Sequence, residues 1–305
     1  MKLEKGFSII IPCYNSGKYI IETVDSIIKQ NFKYPFEIIV IDDGSDDHET
    51  KKSLEKISDY KNLKLLNLNE NKGAQVARNT GIKKSQFDYL FCLDADDKLN
   101  LDKNILKNGT YPDIAIDVLD KDNDVVFVYG STLMFEGLNG LTISAYPIDE
   151  KMILKKHHVQ NSIVYRKIDA IKVGLYDEEI QKWQDWSFAV SLLNSRLKSG
   201  KKNDVYYIDR PYYLYRIHDN PNRISSKEVG EEEMIKITFD KNPEIFKKYY
   251  KGVPDNLIPK KVLENKPDKL TDLFYVASYN LDRVLKMSKE RGLRVISENE
   301  PPNIP

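Results

Sequence analysis

Three short polar sequences, Tyr14-Asn15, Asp42-Asp43 and Asp94–Asp97, stand behind apolar runs, and each carries side chains able to do chemistry. Asp94-Ala95-Asp96-Asp97 follows Tyr89–Leu93. On an extended strand end, residues i and i+2 face the same way, so Asp94 and Asp96 can address one site. Two hard carboxylate donors suit Mg²⁺ or Mn²⁺, ions that keep positions for water and phosphate oxygens and neutralise charge on a diphosphate leaving group. An acidic turn, with Asp97 capping the next helix, is the competing reading. Asp42-Asp43-Gly44-Ser45 follows Phe36–Ile41. A carboxylate there can accept hydrogen bonds from a ribose or from the imide edge of uracil, though Asp-Gly-Ser is also an ordinary turn. Arg78, inside Asn71–Gly81, can pair with phosphate or carbonyl oxygens if its helix reaches the same edge; a solvated surface arginine is the alternative.

The elements that must position these residues alternate in period. Phe7–Ile11 is a buried strand ending at Pro12, and Ser16 is placed to cap a helix with Ile20, Val24, Ile27 and Ile28 on one face. Phe36–Ile41 is a second strand, followed by a polar helix over Thr50–Ile57 and a third strand near Leu63–Leu68. Gly73 introduces a helix through Ala77 and Ile82, and Tyr89–Leu93 is the fourth strand. Short strand–helix steps predict right-handed βαβ units and a parallel sheet, whose ligands bind beyond the carboxyl ends of the strands. The convergence of Tyr14-Asn15, Asp42-Asp43 and Asp94–Asp97 on those ends says more than any one motif.

Beyond Lys98 the pattern loosens. Val125–Tyr129 and Ser131–Phe135 are expected as strands around Gly130, and Tyr206–Ile208 and Tyr212–Ile217 as short tyrosine-rich strands, with a helix over Trp186–Leu197. From Ser226 the chain turns Lys- and Glu-rich, and prolines at 243, 254, 259 and 267 divide helical pieces. The clearest is Asp268–Arg291, with an apolar stripe from Leu270 to Leu285 and Gly292 as its stop. That stripe must be buried against the catalytic domain, a second subunit in a homodimer, or a partner enzyme. Its interspersed acids weaken a membrane-surface reading.

Composition narrows the function classes. The chain has 305 residues, and 47 Lys+Arg against 47 Asp+Glu exclude a polycation built for nucleic acid. Two cysteines, Cys13 and Cys92, both in strand-like runs, exclude a disulfide framework and a cysteine-rich zinc site. His157 and His158 have no partner at metal spacing. No apolar run approaches the ~18 residues of a membrane span, and no signal-peptide core is visible, so a cytoplasmic protein with at most peripheral membrane contact is expected.

Taken together, SIIIPCYN (Ser8–Asn15), IDDGS (Ile41–Ser45), NKGAQVARNTGI (Asn71–Ile82), LDADD (Leu93–Asp97), VGLYDEEIQKWQDWSFAVSLL (Val173–Leu193) and YRIHDNPNRIS (Tyr215–Ser225) resemble glycosyltransferase family 2, the inverting nucleotide-sugar enzymes of GT-A fold. The resemblance implies an α/β, Rossmann-like, mostly parallel sheet flanked by helices over residues 1–225, followed by a helical C-terminal extension over 226–305. It implies a nucleoside pocket lined by Pro12, Tyr14, Ala95 and Asp43, with Asp43 toward the base. Arg78 would lie near base and diphosphate, Asp94 near ribose or metal, and Asp96 and His218 would hold Mn²⁺ or Mg²⁺.

The resemblance also implies that Asp185 is the general base. An inverting transfer is a single displacement, so a carboxylate must take the acceptor hydroxyl's proton as the new bond forms. The family usually has Glu-Asp here, whereas this chain has Gln184-Asp185. A helix N-cap is the structural alternative for Asp185, and Asp177 is the fallback base. Trp183 and Trp186 flank the pair and offer aromatic faces to an acceptor sugar, with core packing as the alternative for Trp186.

The expected activity is transfer of one sugar from a nucleotide diphosphate donor, a UDP-sugar first, to a hydroxyl of a glycan, lipid-linked or protein-linked acceptor. Processive family members add a Q-x-x-R-W segment and membrane helices, neither of which is present in this sequence. A sugar-nucleotide pyrophosphorylase would need a glycine-rich loop where Pro12–Gly17 stands. A non-catalytic nucleotide-sugar or partner-binding protein is the alternative, favoured only by Gln184.

Overall fold

A computed structural model of the chain describes residues 4–137, 140–141, 148–155, 159, 161–218 and 229–264. In chain order the elements are β1 (Glu4–Cys13), α1 (Tyr19–Ile28), β2 (Phe36–Asp42), α2 (His48–Ile57), β3 (Leu63–Asn67), α3 (Ala74–Lys84), β4 (Phe87–Cys92) and β5 (Lys98–Leu99). There follow α4 (Tyr111–Lys121), β6 (Val125–Glu136), β7 (Gly140–Leu141), α5 (Glu150–Lys155), β8 (Val164–Arg166), α6 (Lys167–Lys172), α7 (Gln184–Lys198) and β9 (Asp204–Ile217). Three helices close the described chain: α8 (Glu231–Lys241), α9 (Pro243–Tyr249) and α10 (Ile258–Glu264).

One mixed sheet runs β3-β2-β1-β4-β8-β6-β9-β5, with β7 paired to β6. Its long ladders are parallel: β1 with β2 and β4, β2 with β3, and β6 with β9. The pairings through β5, β7 and β8 are short and antiparallel. The fold is therefore an α/β architecture with a mostly parallel sheet flanked by helices.

Both faces are covered, which is why the strands are continuously apolar rather than alternating. Ile10, Ile39, Ile41, Leu90 and Cys92 face α3, α6 and α7, while Ile9, Ile11, Ile38, Val40 and Phe91 face α1, α2 and α4. Helix α3 presses closest to the sheet, at Gly81. A Cβ there would stand 2.6 Å from Ile10 Cγ2 and 2.7 Å from Ile41 Cδ1. That approach sets the height of Arg78, one turn earlier, relative to the strand ends.

Several boundaries differ from the sequence expectation. Helix α1 starts at Tyr19, and the Ser16 hydroxyl meets Cys13 Sγ at 3.1 Å instead of capping it. Helix α2 starts earlier, at His48, because Asp47 accepts from the Thr50 amide at 2.8 Å. Gly130 and Pro211 do not end strands: β6 and β9 each run through. The register jumps from Gly130–Ile208 to Thr132–Tyr213, so β9 carries the extra residues as a bulge, where a proline lacking its N–H is tolerated.

Helices α8, α9 and α10 lay Ile235, Phe239, Ile245, Phe246, Ile258 and Val262 into the same core as α7 residues Trp186, Val190 and Leu193. The expected helix over 268–291 lies outside the described residues, as do His157, His158 and the motif residues after His218. No described helix is long and apolar enough to cross a membrane.

Candidate active site

The carboxyl ends of β1, β2 and β4 bring Pro12, Tyr14, Asp43, Asp94, Ala95 and Asp96 to one edge of the sheet. The β1 and β2 ends are locked together, since the Asp43 amide donates to the Cys13 carbonyl at 2.8 Å and the Asn15 amide to Ser45 Oγ at 3.0 Å. Tyr14 is exposed and Pro12 half-buried. Gly44 turns the chain at φ +72°, where a Cβ would meet the Glu70 backbone at 2.6 Å.

Asp43 is buried and accepts the Lys72 amide on Oδ1 and the Gly73 amide on Oδ2, both at 2.8 Å. Burial pushes its carboxyl above the ordinary range, and the two amides pull back. Its remaining lone pairs are what a nucleobase can meet.

Arg78 reaches the edge from α3 but is turned inward, 2% exposed. Its Nη2 donates to Asp94 Oδ1 at 2.8 Å, its Cζ lies 5.5 Å over the Tyr176 ring, and Nε and Nη1 have no hydrogen-bond partner among the described residues. Burial works against the guanidinium charge, but Asp94 and Asp185 outweigh it. Asn161 Nδ2 also donates to Asp94 Oδ1, at 2.9 Å.

Asp185 opens α7 and is half-buried. Burial pushes its carboxyl up to about 6, with Arg78 opposing and Asp94 adding to the rise. That is a value suited to a base working near neutrality. It does not act as the N-cap: Trp183 holds that position in the left-handed region at φ 62°. A tryptophan rarely occupies that region, and such conformations cluster at functional sites. Asp177, the fallback, is ion-paired with Lys241 at 2.6 Å.

Asp96 meets His218 Nε2 through Oδ2 at 2.7 Å, joining the β4 and β9 ends across 122 residues of chain. No group of three or more His, Cys, Asp or Glu positioned for a metal occurs among the described residues. A carboxylate and an imidazole in contact fit an ion whose other positions are filled by diphosphate and water. Asp97 belongs to the scaffold. Fully buried, it accepts from Tyr213 Oη and from the Arg216 amide instead of capping a helix.

Trp186 corrects one expectation. It is 2% exposed, donates from Nε1 to the Ile153 carbonyl at 2.7 Å and meets Phe246 edge-on at 6.1 Å, so it has no face for a sugar. Trp183, 6.2 Å from it, remains half-buried. Asn161 carries no motif signal. Arg216 stands inside a quoted motif, two residues before His218, where strand alternation puts both on one side.

Residues 8–163, just over half of the chain, match the family described as Glycosyl transferase family 2. The chain belongs to that family. It is therefore a glycosyltransferase. Among relatives, it is 29% identical over 263 residues to the poly(ribitol-phosphate) β-N-acetylglucosaminyltransferase TarP of Staphylococcus aureus strain N315, covering 81% of this chain and 73% of TarP. It is 36% identical over 136 residues to TarS of S. aureus strain Mu50, which carries the same activity name, covering 44% of this chain and only 22% of TarS. The crystal structure of S. aureus TarS 1-349 in complex with UDP-GlcNAc superposes with a TM-score of 0.64 at 19% identity, over 97% of this chain and 98% of that one. At that identity the likeness shows the family 2 fold.

Proposed function

We propose that this glycosyltransferase is an inverting enzyme that moves N-acetylglucosamine from UDP-GlcNAc to a hydroxyl of a polyol-phosphate chain. The observation that carries the reading is the meeting of Asp94 and Asp185 around Arg78, which brings the donor-side carboxylates and a carboxylate suited to base catalysis to one sheet edge. The choice of donor and acceptor rests on the likeness to TarP along four-fifths of the chain.

In this reading Asp43 holds the uracil edge, Pro12 and Tyr14 flank the nucleoside, and Ala95 and Asp94 approach the ribose. Asp96 and His218 would hold Mn²⁺ or Mg²⁺, which neutralises the leaving diphosphate when bound. Asp185 accepts the proton of the acceptor hydroxyl while its oxygen attacks the anomeric carbon from the face opposite UDP. Trp183 offers a ring to the acceptor beside that base. Residues 1–225 carry this chemistry, and helices α8, α9 and α10 pack against α7 from outside.

Calorimetric titration of UDP, GDP, dTDP and CMP, with and without Mn²⁺, tests the donor half on wild type and Asp96→Ala. Metal-dependent UDP binding that the variant loses is the expected result. Absence of binding to every nucleotide in folded protein overturns the transferase site. Incorporation of GlcNAc from UDP-GlcNAc into poly(ribitol phosphate), against an unphosphorylated glycan control, tests the acceptor.

A further inference from the structure

Arg216 is a buried cation with every guanidinium nitrogen bonded, and it lies just behind Asp96 and His218. It is 1% exposed. Its Nε donates to the Asp96 carbonyl at 2.6 Å, Nη2 to Glu22 Oε2 at 2.7 Å, and Nη1 to Glu136 Oε1. Its own amide donates to Asp97 Oδ1 at 2.7 Å. The guanidinium is also sandwiched, with its Cζ 4.3 Å from the Tyr19 ring centre and 4.6 Å from that of Phe135.

These contacts draw three distant segments to one point. Glu22 and Tyr19 come from α1, Phe135 and Glu136 from the end of β6, and Asp96 from the turn after β4. Glu136 is held at φ 67°, and the next amide, Gly137, closes onto the Ile217 carbonyl at 2.9 Å. Lys98 Nζ joins Glu22 at 3.3 Å and adds a second cation to the cluster. A buried arginine this well satisfied stays ordered and imposes its geometry on what it touches.

What it touches is the backbone that aims the metal-binding carboxylate. The carbonyls of the Ala95–Asp97 turn face two side chains: the Thr23 hydroxyl lies 2.9 Å from Ala95 O and 2.7 Å from Asp97 O and shares its one proton, while Arg216 takes Asp96 O. The Asp96 side chain is free of that scaffold and one-third exposed. On the other side, His218 follows Arg216 by two residues, and its ring stacks on Tyr19 at 5.6 Å and 29°, the same ring that covers the guanidinium. One side chain thus sets the backbone beneath Asp96 and the ring against which His218 rests.

We propose that Arg216 is a positioning residue that fixes the separation and aim of Asp96 and His218, and so sets the affinity of the site for its divalent cation. The inference rests on the metal reading given above. Buried behind them, Arg216 acts through the two ligands. The planar fork is essential, because three diverging partners must be met from one rigid plane while two aromatic faces pack on it. Lysine keeps the charge and loses that geometry.

The test measures Mn²⁺ affinity by electron paramagnetic resonance in the presence of UDP for wild type, Arg216→Lys, Arg216→Ala and Glu136→Gln. Changes to groups that orient metal ligands cost about 10–100-fold in metal affinity, and Arg216→Lys is expected in that range with reduced kcat and unchanged acceptor KM. Millimolar guanidinium should restore part of the Mn²⁺ affinity of Arg216→Ala. Glu136→Gln alters only the outer partner of the fork and should show a smaller loss in a fully folded protein. Arg216→Lys, folded and binding Mn²⁺ within twofold of wild type, overturns the proposal. If both Arg216 variants unfold, an unchanged Glu136→Gln overturns it instead. Wild type that binds UDP but no Mn²⁺ removes the metal reading, and the clamp with it.

Discussion

Arg78 Nη2 donates to Asp94 Oδ1 at 2.8 Å, and the same guanidinium lies in the electrostatic field of Asp185. One buried cation therefore touches Asp94 and biases Asp185, the proposed base. Asp94 pushes the Asp185 carboxyl up while Arg78 holds it down. Replacing Arg78 with methionine removes the opposing charge, so the acid limb of the rate profile should move upward from its wild-type position near 6. A profile of kcat/KM against pH for the two proteins measures this, and an unmoved limb would show that Arg78 does not set the base.

Asp185→Asn should lose about 10²–10⁴-fold in kcat, the usual contribution of a positioned base, while UDP binding is retained. Isothermal titration and a transfer assay on the same protein separate the two effects, and unchanged turnover excludes Asp185 as the base.

The same substitution should raise stability at neutral pH. A carboxyl whose folded pKa stands at about 6, against 3.8 ordinarily, binds its proton more tightly when folded. This group's contribution to stability is then fully present below pH ~4, is lost as pH rises through 6, and stays absent beyond it. The shift corresponds to an upper figure of about 3 kcal/mol at pH 7, reduced by solvent at this half-buried site. The uncharged amide of Asp185→Asn carries no such cost, so the variant should melt above wild type at pH 7 and show no gain at pH 4. Equal melting differences at both pH values would contradict the assignment.

Gly81→Ala should destabilise the fold and lower activity together. The added Cβ meets Ile10 and Ile41, both packed in the sheet, and overpacking of this kind costs about 1–3 kcal/mol. Helix α3 must then lift, and Arg78 with it. Thermal unfolding and kcat/KM read the two consequences, and a stable, fully active variant would show that α3 yields without moving the site.

The first four strands and their polar ends were legible because burial on both faces demands continuous apolar runs, and turns demand Asp, Gly and Ser. The path of β6 and β9 was not. Gly130 and Pro211 signal a break locally, but a bulge in β9 absorbs both and the parallel ladder continues on either side. In sequence Asp97 reads as the cap of a following helix. Only the packing of Tyr213 and the Arg216 amide around it makes it scaffold. Asn161 became visible through tertiary approach alone, since nothing near it in the chain marks an asparagine that reaches Asp94.

The two tryptophans beside Asp185, the proposed base, separate what alternation along a helix could not. Trp186 fills the core between α5, α7 and α9 and spends its N–H on the Ile153 carbonyl, so Trp186→Ala should cost about 3–5 kcal/mol, as for other large aromatic deletions. Trp183 stands at the helix start, half-buried and in the left-handed region, where most side chains are strained. Such conformations cluster at functional sites, and Trp183 stands two residues before Asp185. Trp183→Ala should therefore change melting little while raising KM for the acceptor, with KM for UDP-GlcNAc unchanged. Trp183→Gly, which relieves the backbone strain, should be at least as stable as the alanine variant and share its acceptor defect. Steady-state kinetics with both substrates varied, run beside thermal unfolding, decides it. A Trp183→Ala protein with unaltered acceptor KM would place the acceptor on another wall of the site.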